Sequence, residues 1–295
     1  MRVFLTGATG FIGSAIVKEL QRAGHQILGF ARSDASAALL EVAGVEVHRG
    51  ALDDLDSLKR GAQACDGVIH TAFIHDWSQF MANVETDRRA VETLVGALQD
   101  SDKPLVITSG TMMVAHGRPA TEQDAPMSIE VPRAASEAMV LAAAGHGVRG
   151  SVVRLAPSVH GAGDHGFVPR LINIAREKGL SAYVGDGTNR WPAVHRLDAA
   201  RLFRLALERA EPGTRLHGVA EEGVPFRAIA QAIGDGLGIP VRSLTEDEAS
   251  AHFDFLARFV ATDNPTSSAV TRSSLGWQPQ APELLIDMRN SGYFA

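Results

Sequence analysis

Residues 3–20 read VFLTGATGFIGSAIVKEL and combine a short apolar strand, three glycines and an amphipathic helix. In such a unit Gly7 permits a tight turn, Gly10 lets the backbone approach a pyrophosphate, and Gly13 lets the helix pack closely on the strand. The N–H groups at the start of the helix attract an anion. The segment therefore predicts a dinucleotide-binding loop, with a purely structural turn as the alternative.

The alternation of strand and helix continues along the chain. Strands are predicted from Arg2, Gln26, Val45, Gly67, Pro104 and Ser151, and helices near 11–23, 34–43, 54–62, 78–99 and 131–145. This pattern predicts an α/β fold with a Rossmann-type, doubly wound parallel sheet. After about residue 160 the alternation loosens, and helices are expected near 167–178, 198–210, 224–237 and 246–260.

This change in pattern predicts two parts of unequal size. We expect a dinucleotide-binding domain over residues 1–160, with its sheet completed by later segments up to about residue 220. Residues 161–295 are expected to form a smaller, interleaved C-terminal α/β lobe that binds substrate. A cleft between the two parts is the expected place for a ligand.

The composition excludes several classes of function. The chain has 295 residues, 45% of them hydrophobic, a formal net charge of −6 and one cysteine, Cys65. It has neither a basic cluster nor an apolar run of about 18 residues, so we expect no nucleic-acid or membrane partner. The absence of a signal-peptide pattern predicts a cytoplasmic protein. No spacing of histidines, cysteines or acids indicates a metal site.

The second predicted strand ends in Phe30-Ala31-Arg32-Ser33-Asp34, where NAD-binding proteins usually place an acid on the ribose 2′-hydroxyl. Arg32 and Ser33 suit a 2′-phosphate instead, so the sequence favours NADP over NAD. The alternative is that Arg32 is only solvated and that Ser33 or Asp34 caps the next helix.

Six motifs follow one another in a characteristic order. They are TGATGFIG from Thr6, DGVIHTA from Asp66, Asn83-Val84, VITSGTMMV from Val106, VVRLAPSVHG from Val152 and AVHRLDAARL from Ala193. In this order and spacing the chain resembles the extended short-chain dehydrogenases/reductases, the NAD-dependent epimerase/dehydratase family, over about residues 1–210. The resemblance implies a Rossmann domain with the dinucleotide over the C-terminal edge of the strands. The cofactor-binding residues expected with it are Gly7, Thr9, Gly10, Phe11, Ile12, Gly13, Leu52, Thr71, Ala72, Phe73 and Pro157.

The catalytic helix of the family is altered here. Its YxxxK pattern, commonly PYxxSK, aligns with residues 132–137, so that Arg133 stands in the tyrosine position and Glu137 in the lysine position. The only tyrosines, Tyr183 and Tyr293, have no lysine four residues later. A guanidinium stays protonated, so Arg133 cannot act as the acid or base that the tyrosine provides.

Three interpretations of this helix remain open from the sequence. Arg133 and Glu137 could form a partly exposed i,i+4 ion pair worth about 0.2–0.5 kcal/mol. Alternatively, Glu137 could be a cleft acid with a raised pKa, or Arg133 could hold an anionic substrate. Thr111 falls where the resemblance places an active-site serine or threonine, and it completes the predicted catalytic set.

Substrate contacts are expected from apolar and histidine residues near the cleft. Met112, Phe167 and Trp191 predict an apolar wall, with core packing as the alternative for each. His160, in VHGAGDHGF, is expected to face the nicotinamide end, with a solvated turn as the alternative.

Two predicted helices, 78–99 and 131–145, carry apolar residues on more than one face. These residues are Val91, Leu94, Val95, Leu98, Met139, Val140 and Leu141. A helix that is apolar all round needs a cover, and the resemblance implies a homodimer in which the two helices of each subunit form a four-helix bundle.

These features predict an NADP-dependent reductase of a small to medium, largely apolar carbonyl, imine or activated alkene. A non-catalytic NAD(P)-binding redox sensor or regulatory protein is one alternative. A nucleotide-sugar epimerase or dehydratase is another, although the base that such a reaction needs is absent.

Overall fold

The computed structural model describes residues 1–114, 117–128, 130 and 133–295, the side chain of Trp77 excepted. The strands are β1 (Arg2–Thr6), β2 (Gln26–Ala31), β3 (Glu46–Arg49), β4 (Gly67–His70), β5 (Pro104–Gly110), β6 (Arg149–Leu155), β7 (Ser158–His160), β8 (Ser181–Val184), β9 (Arg190–His195), β10 (Thr214–Gly218), β11 (Glu221–Pro225) and β12 (Val241–Leu244). The helices are α1 (Phe11–Arg22), α2 (Asp34–Val42), α3 (Leu55–Gln63), α4 (Phe80–Leu98), α5 (Ala134–Ala142), α6 (Phe167–Lys178), α7 (Arg196–Arg209), α8 (Phe226–Leu237), α9 (Glu246–Phe253), α10 (Ala257–Val260), α11 (Ala269–Leu275) and α12 (Leu284–Asn290).

The central sheet has seven strands in the order β3-β2-β1-β4-β5-β6-β10, and every neighbouring pair is parallel. The strand order reverses between β1 and β4, which is where Rossmann sheets bind their ligand, outside the carboxyl ends of the strands. This topology confirms the predicted doubly wound parallel sheet. It brings the loop after β1 and the loop after β4 next to each other.

Both faces of the sheet are covered, because its strands are apolar on both sides. On one face α1 and α7 pack through buried residues such as Ile16, Leu20 and Phe203. On the other face α3, α4 and α5 pack through residues such as Leu58 and Val91. The rigid sheet thus holds the loops at its carboxyl edge in fixed positions.

The C-terminal part adds a three-stranded sheet, β11-β9-β7, and a pair, β12-β8, around a second core. Trp191 lies in this core with 0% exposure, its ring 5.8 Å from that of Phe167 and 5.0 Å from that of Phe226. This packing agrees with the alternative given for Trp191, and a contact between Trp191 and substrate stays a prediction.

The predicted helices agree with the observed ones to within about three residues at each end except near residue 254, and α11 and α12 were not predicted. The predicted helix 246–260 is interrupted after α9, where Asp254 has a φ of +52°. In the described ranges, no helix is both long and apolar enough to cross a membrane.

Most of the apolar residues that led us to expect a homodimer are buried within one chain, whereas Met139 and Leu141 are half-buried. Val91, Leu94 and Leu98 are buried between α4 and the sheet. The outer face of α4 instead carries Arg88, which pairs with Glu85 at 2.7 Å and with Glu92 at 3.2 Å. The homodimer stays a prediction.

Candidate active site

The glycine loop joins β1 to α1 and touches the end of β4. Gly7 has a φ of +72°, and a Cβ there would lie 2.7 Å from both Ala72 N and Thr71 Oγ1. A Cβ at Gly13 would lie 1.9 Å from Gly7 O. Only glycine fits at either position, because the turn, the helix and the neighbouring loop approach one another this closely.

The start of α1 is open to an anion. Its N-cap is Gly10, no side chain caps it, and no acid lies in its first turn. A Cβ at Gly10 would meet only Gly7 O within 4 Å, so the space in front of this residue is open. Thr9, Phe11 and Ile12 are half-buried around it. The residues present therefore fit the pyrophosphate of a dinucleotide.

The loop after β4 is fixed against this site by hydrogen bonds. Thr71 Oγ1 donates to Thr6 O at 2.8 Å, and Ala72 N donates to Thr6 Oγ1 at 3.3 Å. Three further residues that the resemblance implies, Leu52, Phe73 and Pro157, follow β3, β4 and β6 respectively and are half-buried. All of them lie at the carboxyl edge of the sheet, where the cofactor is expected.

Two arginines lie near the ends of β2 and β3. Arg32 is exposed, and Ser33 caps α2, as we considered in the alternative prediction. Arg49 donates through Nη1 to Ser33 O at 2.6 Å and pairs with Asp34. Arg49 was not predicted from the sequence. The signal that could have found it is a basic residue at the end of the third strand, which pairs with the second strand.

Arg133 occupies the tyrosine position with an unusual backbone. It precedes α5 with a φ of +70°, in the left-handed region that non-glycine residues avoid. Its Nη2 donates to Thr108 O at 2.6 Å and lies 3.5 Å from Asp87 Oδ1. Its Cζ lies 4.8 Å from the ring centroid of Phe73. Its Nε is buried and has no hydrogen-bond partner among the residues described.

Asp87 is the buried anion that holds Arg133 in place. Its carboxylate also accepts a hydrogen bond from Ser136 Oγ at 3.1 Å and lies 3.3 Å from His70 Nε2. Burial alone would raise the pKa of Asp87, but the Arg133 charge and these hydrogen bonds outweigh it and lower the pKa. The sequence analysis missed Asp87, although a charged residue four positions after Asn83 on a buried helical face is a detectable signal.

Glu137 lies inside the protein, with its side chain 1% exposed. Its carboxylate accepts hydrogen bonds from Arg154 Nε at 3.0 Å, Arg215 Nε at 2.9 Å and Ser109 Oγ at 3.2 Å. The predicted ion pair with Arg133 is wrong, because Arg133 turns toward Asp87 instead. The two arginines enclose the charge of Glu137, and its role as an acid stays a prediction.

Two other predicted site residues are also buried. Thr111 Oγ1 donates to Asn264 Oδ1 at 2.9 Å, and Asn264 Nδ2 donates to Thr111 O at 3.2 Å, which joins the loop after β5 to the C-terminal part. A catalytic role for Thr111 stays a prediction. His160 Nδ1 lies 2.8 Å from Asp287 Oδ2 on α12, and the side chain is 1% exposed. A contact between His160 and substrate stays a prediction.

The mouth of the site combines aromatic rings and positive charge. The rings of Phe73 and His75 lie 5.2 Å apart. Desolvation lowers the pKa of His75, and the charges of Arg133, Arg170 and His165 lower it further. The predicted substrate residues Met112 and Phe167 are half-buried. Phe73 and His75 thus form an aromatic pair near positive charge, and contacts of Met112 and Phe167 with substrate stay predictions.

The comparisons with known proteins identify the family. Residues 3–217 match the model of the NAD dependent epimerase/dehydratase family. The chain belongs to this family. It is 49% identical to an uncharacterized protein of Schizosaccharomyces pombe over 100% of both chains, and 29% identical to a 2-alkyl-3-oxoalkanoate reductase of Stenotrophomonas maltophilia over 81% of this chain and 77% of that one. A solved double mutant of the dTDP-glucose 4,6-dehydratase DesIV of Streptomyces venezuelae, with NAD bound, matches with a TM-score of 0.78 and 20% identity, covering 100% of this chain and 96% of that chain.

Membership of the epimerase/dehydratase family confirms the resemblance found in the sequence. It also confirms the expected enzyme class, an NAD(P)-dependent oxidoreductase of the extended short-chain type. The glycine loop agrees with that membership residue by residue, whereas Arg133 and Glu137 depart from the family pattern. The roles of the individual site residues stay predictions.

Proposed function

We propose that this protein is an NADPH-dependent reductase of a small to medium, largely apolar carbonyl compound or activated alkene. In this proposal Arg133 takes the place of the family's tyrosine and stabilises negative charge instead of donating a proton. The observation that carries the proposal is the guanidinium of Arg133, which lies over Phe73 and has a buried Nε without a described hydrogen-bond partner.

The role of Arg133 follows from its chemistry. When bound, NADPH supplies a hydride. The acceptor oxygen, or the enolate oxygen of an activated alkene, then gains negative charge, and a fixed donor beside that oxygen stabilises the charge. Because arginine does not release its proton, the proton must come from elsewhere. His75 is exposed, so we propose that solvent reaches the oxygen beside it and supplies the proton, and that the hydroxide left behind is neutralised in bulk water.

The surroundings of Arg133 favour some acceptors over others. Phe73, Met112 and Phe167 offer apolar contact to a substrate chain. The positive charges of Arg133 and Arg170 oppose an iminium cation and attract an oxyanion, so we favour carbonyls and conjugated alkenes over imines. The similarity to the 2-alkyl-3-oxoalkanoate reductase supports a ketone with alkyl substituents.

The same proposal assigns cofactor binding and substrate binding to different parts of the chain. Residues 1–160, with the later strand β10, hold the dinucleotide at the carboxyl edge of the sheet. The other residues of 161–295 form the substrate lobe and contribute Phe167 and Arg170 through α6, whereas α7 covers the dinucleotide-binding sheet. A homodimer is compatible with this arrangement, since the site residues named here come from one chain.

The expected activity can be measured by the oxidation of NADPH with a panel of apolar ketones, 3-oxoacids, enones and imines. We expect turnover of ketones or enones and negligible NADP⁺-dependent oxidation of secondary alcohols near neutral pH, because that direction needs a base. Efficient epimerisation of nucleotide sugars would contradict the proposal. Tight NADPH binding without turnover of any acceptor would favour the redox sensor.

The preference for NADPH rests on Arg32. Replacing Arg32 with alanine is expected to weaken the binding of NADPH by about tenfold or more and to leave NADH unchanged, because a charge-assisted hydrogen bond contributes about 1.5–3 kcal/mol. Calorimetric titration of both cofactors measures this, with Arg22→Ala as the control, since Arg22 is an exposed arginine at the end of α1. Equal affinities of the unmodified protein for NADPH and NADH would contradict the prediction.

A further inference from the structure

Arg196 connects the C-terminal part of the chain to the glycine loop. It is the first residue of α7 and belongs to the motif AVHRLDAARL. Its Cζ lies 5.0 Å from the ring centroid of Phe11, which is the first residue of α1. The guanidinium of Arg196 thus lies beside the N-terminus of α1, which faces the dinucleotide site.

The electrostatic position of Arg196 is unfavourable in the chain alone. It lies at the N-terminus of its own helix and close to the N-terminus of α1, and both helix ends carry partial positive charge. Among the residues that the structure describes, no carboxylate lies within ion-pair distance of Arg196. An anion held between the guanidinium and α1 would turn this repulsion into attraction.

The backbone at Gly161 leaves space for the side chain of Arg196. Gly161 has a φ of +140°, and a Cβ on it would lie 3.1 Å from Arg196 Cγ and 3.1 Å from His195 Nε2. The N–H of Gly161 donates to Tyr293 Oη at 3.0 Å, and this hydroxyl donates to Asp164 Oδ2 at 2.9 Å. A glycine fixed in this conformation therefore leaves room for the stem of Arg196.

We propose that Arg196 binds the diphosphate of the dinucleotide together with the N-terminus of α1, and that Gly161 is a positioning residue for it. His165 belongs to the same loop as Gly161, and its ring packs against that of Phe11 at a centroid distance of 5.7 Å. The inference concerns the dinucleotide site that family membership establishes, and it does not depend on the substrate.

The test is the affinity of Arg196→Ala for NADPH and for NADH, measured by calorimetric titration. Both dissociation constants are expected to rise by the same factor, about tenfold or more, because the diphosphate is common to the two cofactors. Arg32→Ala, in contrast, should affect NADPH alone. Arg209→Ala is the matched control: Arg209 is an exposed arginine at the far end of α7, and its removal should leave both affinities unchanged.

A second variant tests the positioning of Arg196 without removing its charge. Gly161→Ala introduces a Cβ only 3.1 Å from Arg196 Cγ, so Arg196 must shift by a few tenths of an ångström, and the binding of both cofactors should weaken while Arg196 is still present. Thermal unfolding without cofactor verifies that each variant is folded. If Gly161→Ala does not fold, the affinities of Arg196→Ala alone test the proposal. Affinities of Arg196→Ala that stay within about twofold of the unmodified protein would overturn the proposal, and so would a loss restricted to NADPH.

Discussion

Replacing Arg133 with glycine is expected to lower kcat for ketone or enone reduction by about 10²–10³-fold, the usual effect of removing one donor from a developing oxyanion. The backbone of Arg133 has a φ of +70°, which glycine adopts readily, so this variant should fold. Because the contact strengthens only as charge develops, kcat and kcat/KM should fall together. Steady-state kinetics at saturating NADPH measure both quantities.

Two further variants make this prediction specific. Arg133→Lys keeps a positive charge and should retain more activity than the glycine variant, although an ammonium cannot reproduce the planar guanidinium. Arg89→Gln is the control. It removes an exposed arginine from α4 without putting a glycine into the helix, and it should leave kcat unchanged. An unchanged kcat in Arg133→Gly would contradict the assigned role.

Replacing Glu137 with glutamine is expected to lower the free energy of unfolding by about 3–5 kcal/mol, the range for removing one partner of a buried ion pair. The substitution leaves Arg154, which is fully buried, and Arg215 without their shared counter-charge. Equilibrium unfolding in urea measures the change. The loss should appear in stability, because Glu137 does not reach the mouth of the site.

The matched control is Glu85→Gln, which makes the same chemical change in the exposed pair with Arg88. Exposed pairs contribute at most about 1 kcal/mol, so this variant should be nearly as stable as the unmodified protein. Full stability of Glu137→Gln together with a loss of turnover would contradict the structural role assigned to Glu137 and would indicate that it takes part in the chemistry.

Much of the fold could be predicted because its determinants are local. The strands Arg2–Thr6 and Gln26–Ala31 and the helix Phe167–Lys178 begin and end where the apolar pattern places them. The glycines of the loop after β1 report backbone constraints that no other residue satisfies. Local spacing is sufficient for the strands and helices, whereas Gly7 is also constrained by Thr71 and Ala72, which are distant in sequence.

The surroundings of Arg133 and Glu137 could not be predicted in the same way. The i,i+4 rule pairs these two residues, but the left-handed backbone of Arg133 removes it from the helical spacing. Arg154 and Arg215, the partners of Glu137, are 17 and 78 residues away along the chain. They meet Glu137 only because β6 and β10 are neighbours in the sheet.

Trp191 and His160 show a related limit. An aromatic residue or a histidine near the end of a strand can face either a core or a cleft, and the pattern around it is the same in both cases. The C-terminal lobe decides between them, because Phe226 covers Trp191 and Asp287 covers His160. Both contacts come from segments distant in sequence.

The most direct test of the role of Arg133 is a crystal structure of the protein with NADP⁺ and an unreactive ketone analogue. We expect a guanidinium nitrogen of Arg133 within about 2.7–3.2 Å of the ketone oxygen, with Glu137 still held by Arg154 and Arg215. A ketone oxygen bound by a different acid or hydroxyl group, with Arg133 confined to Thr108 and Asp87, would contradict this account.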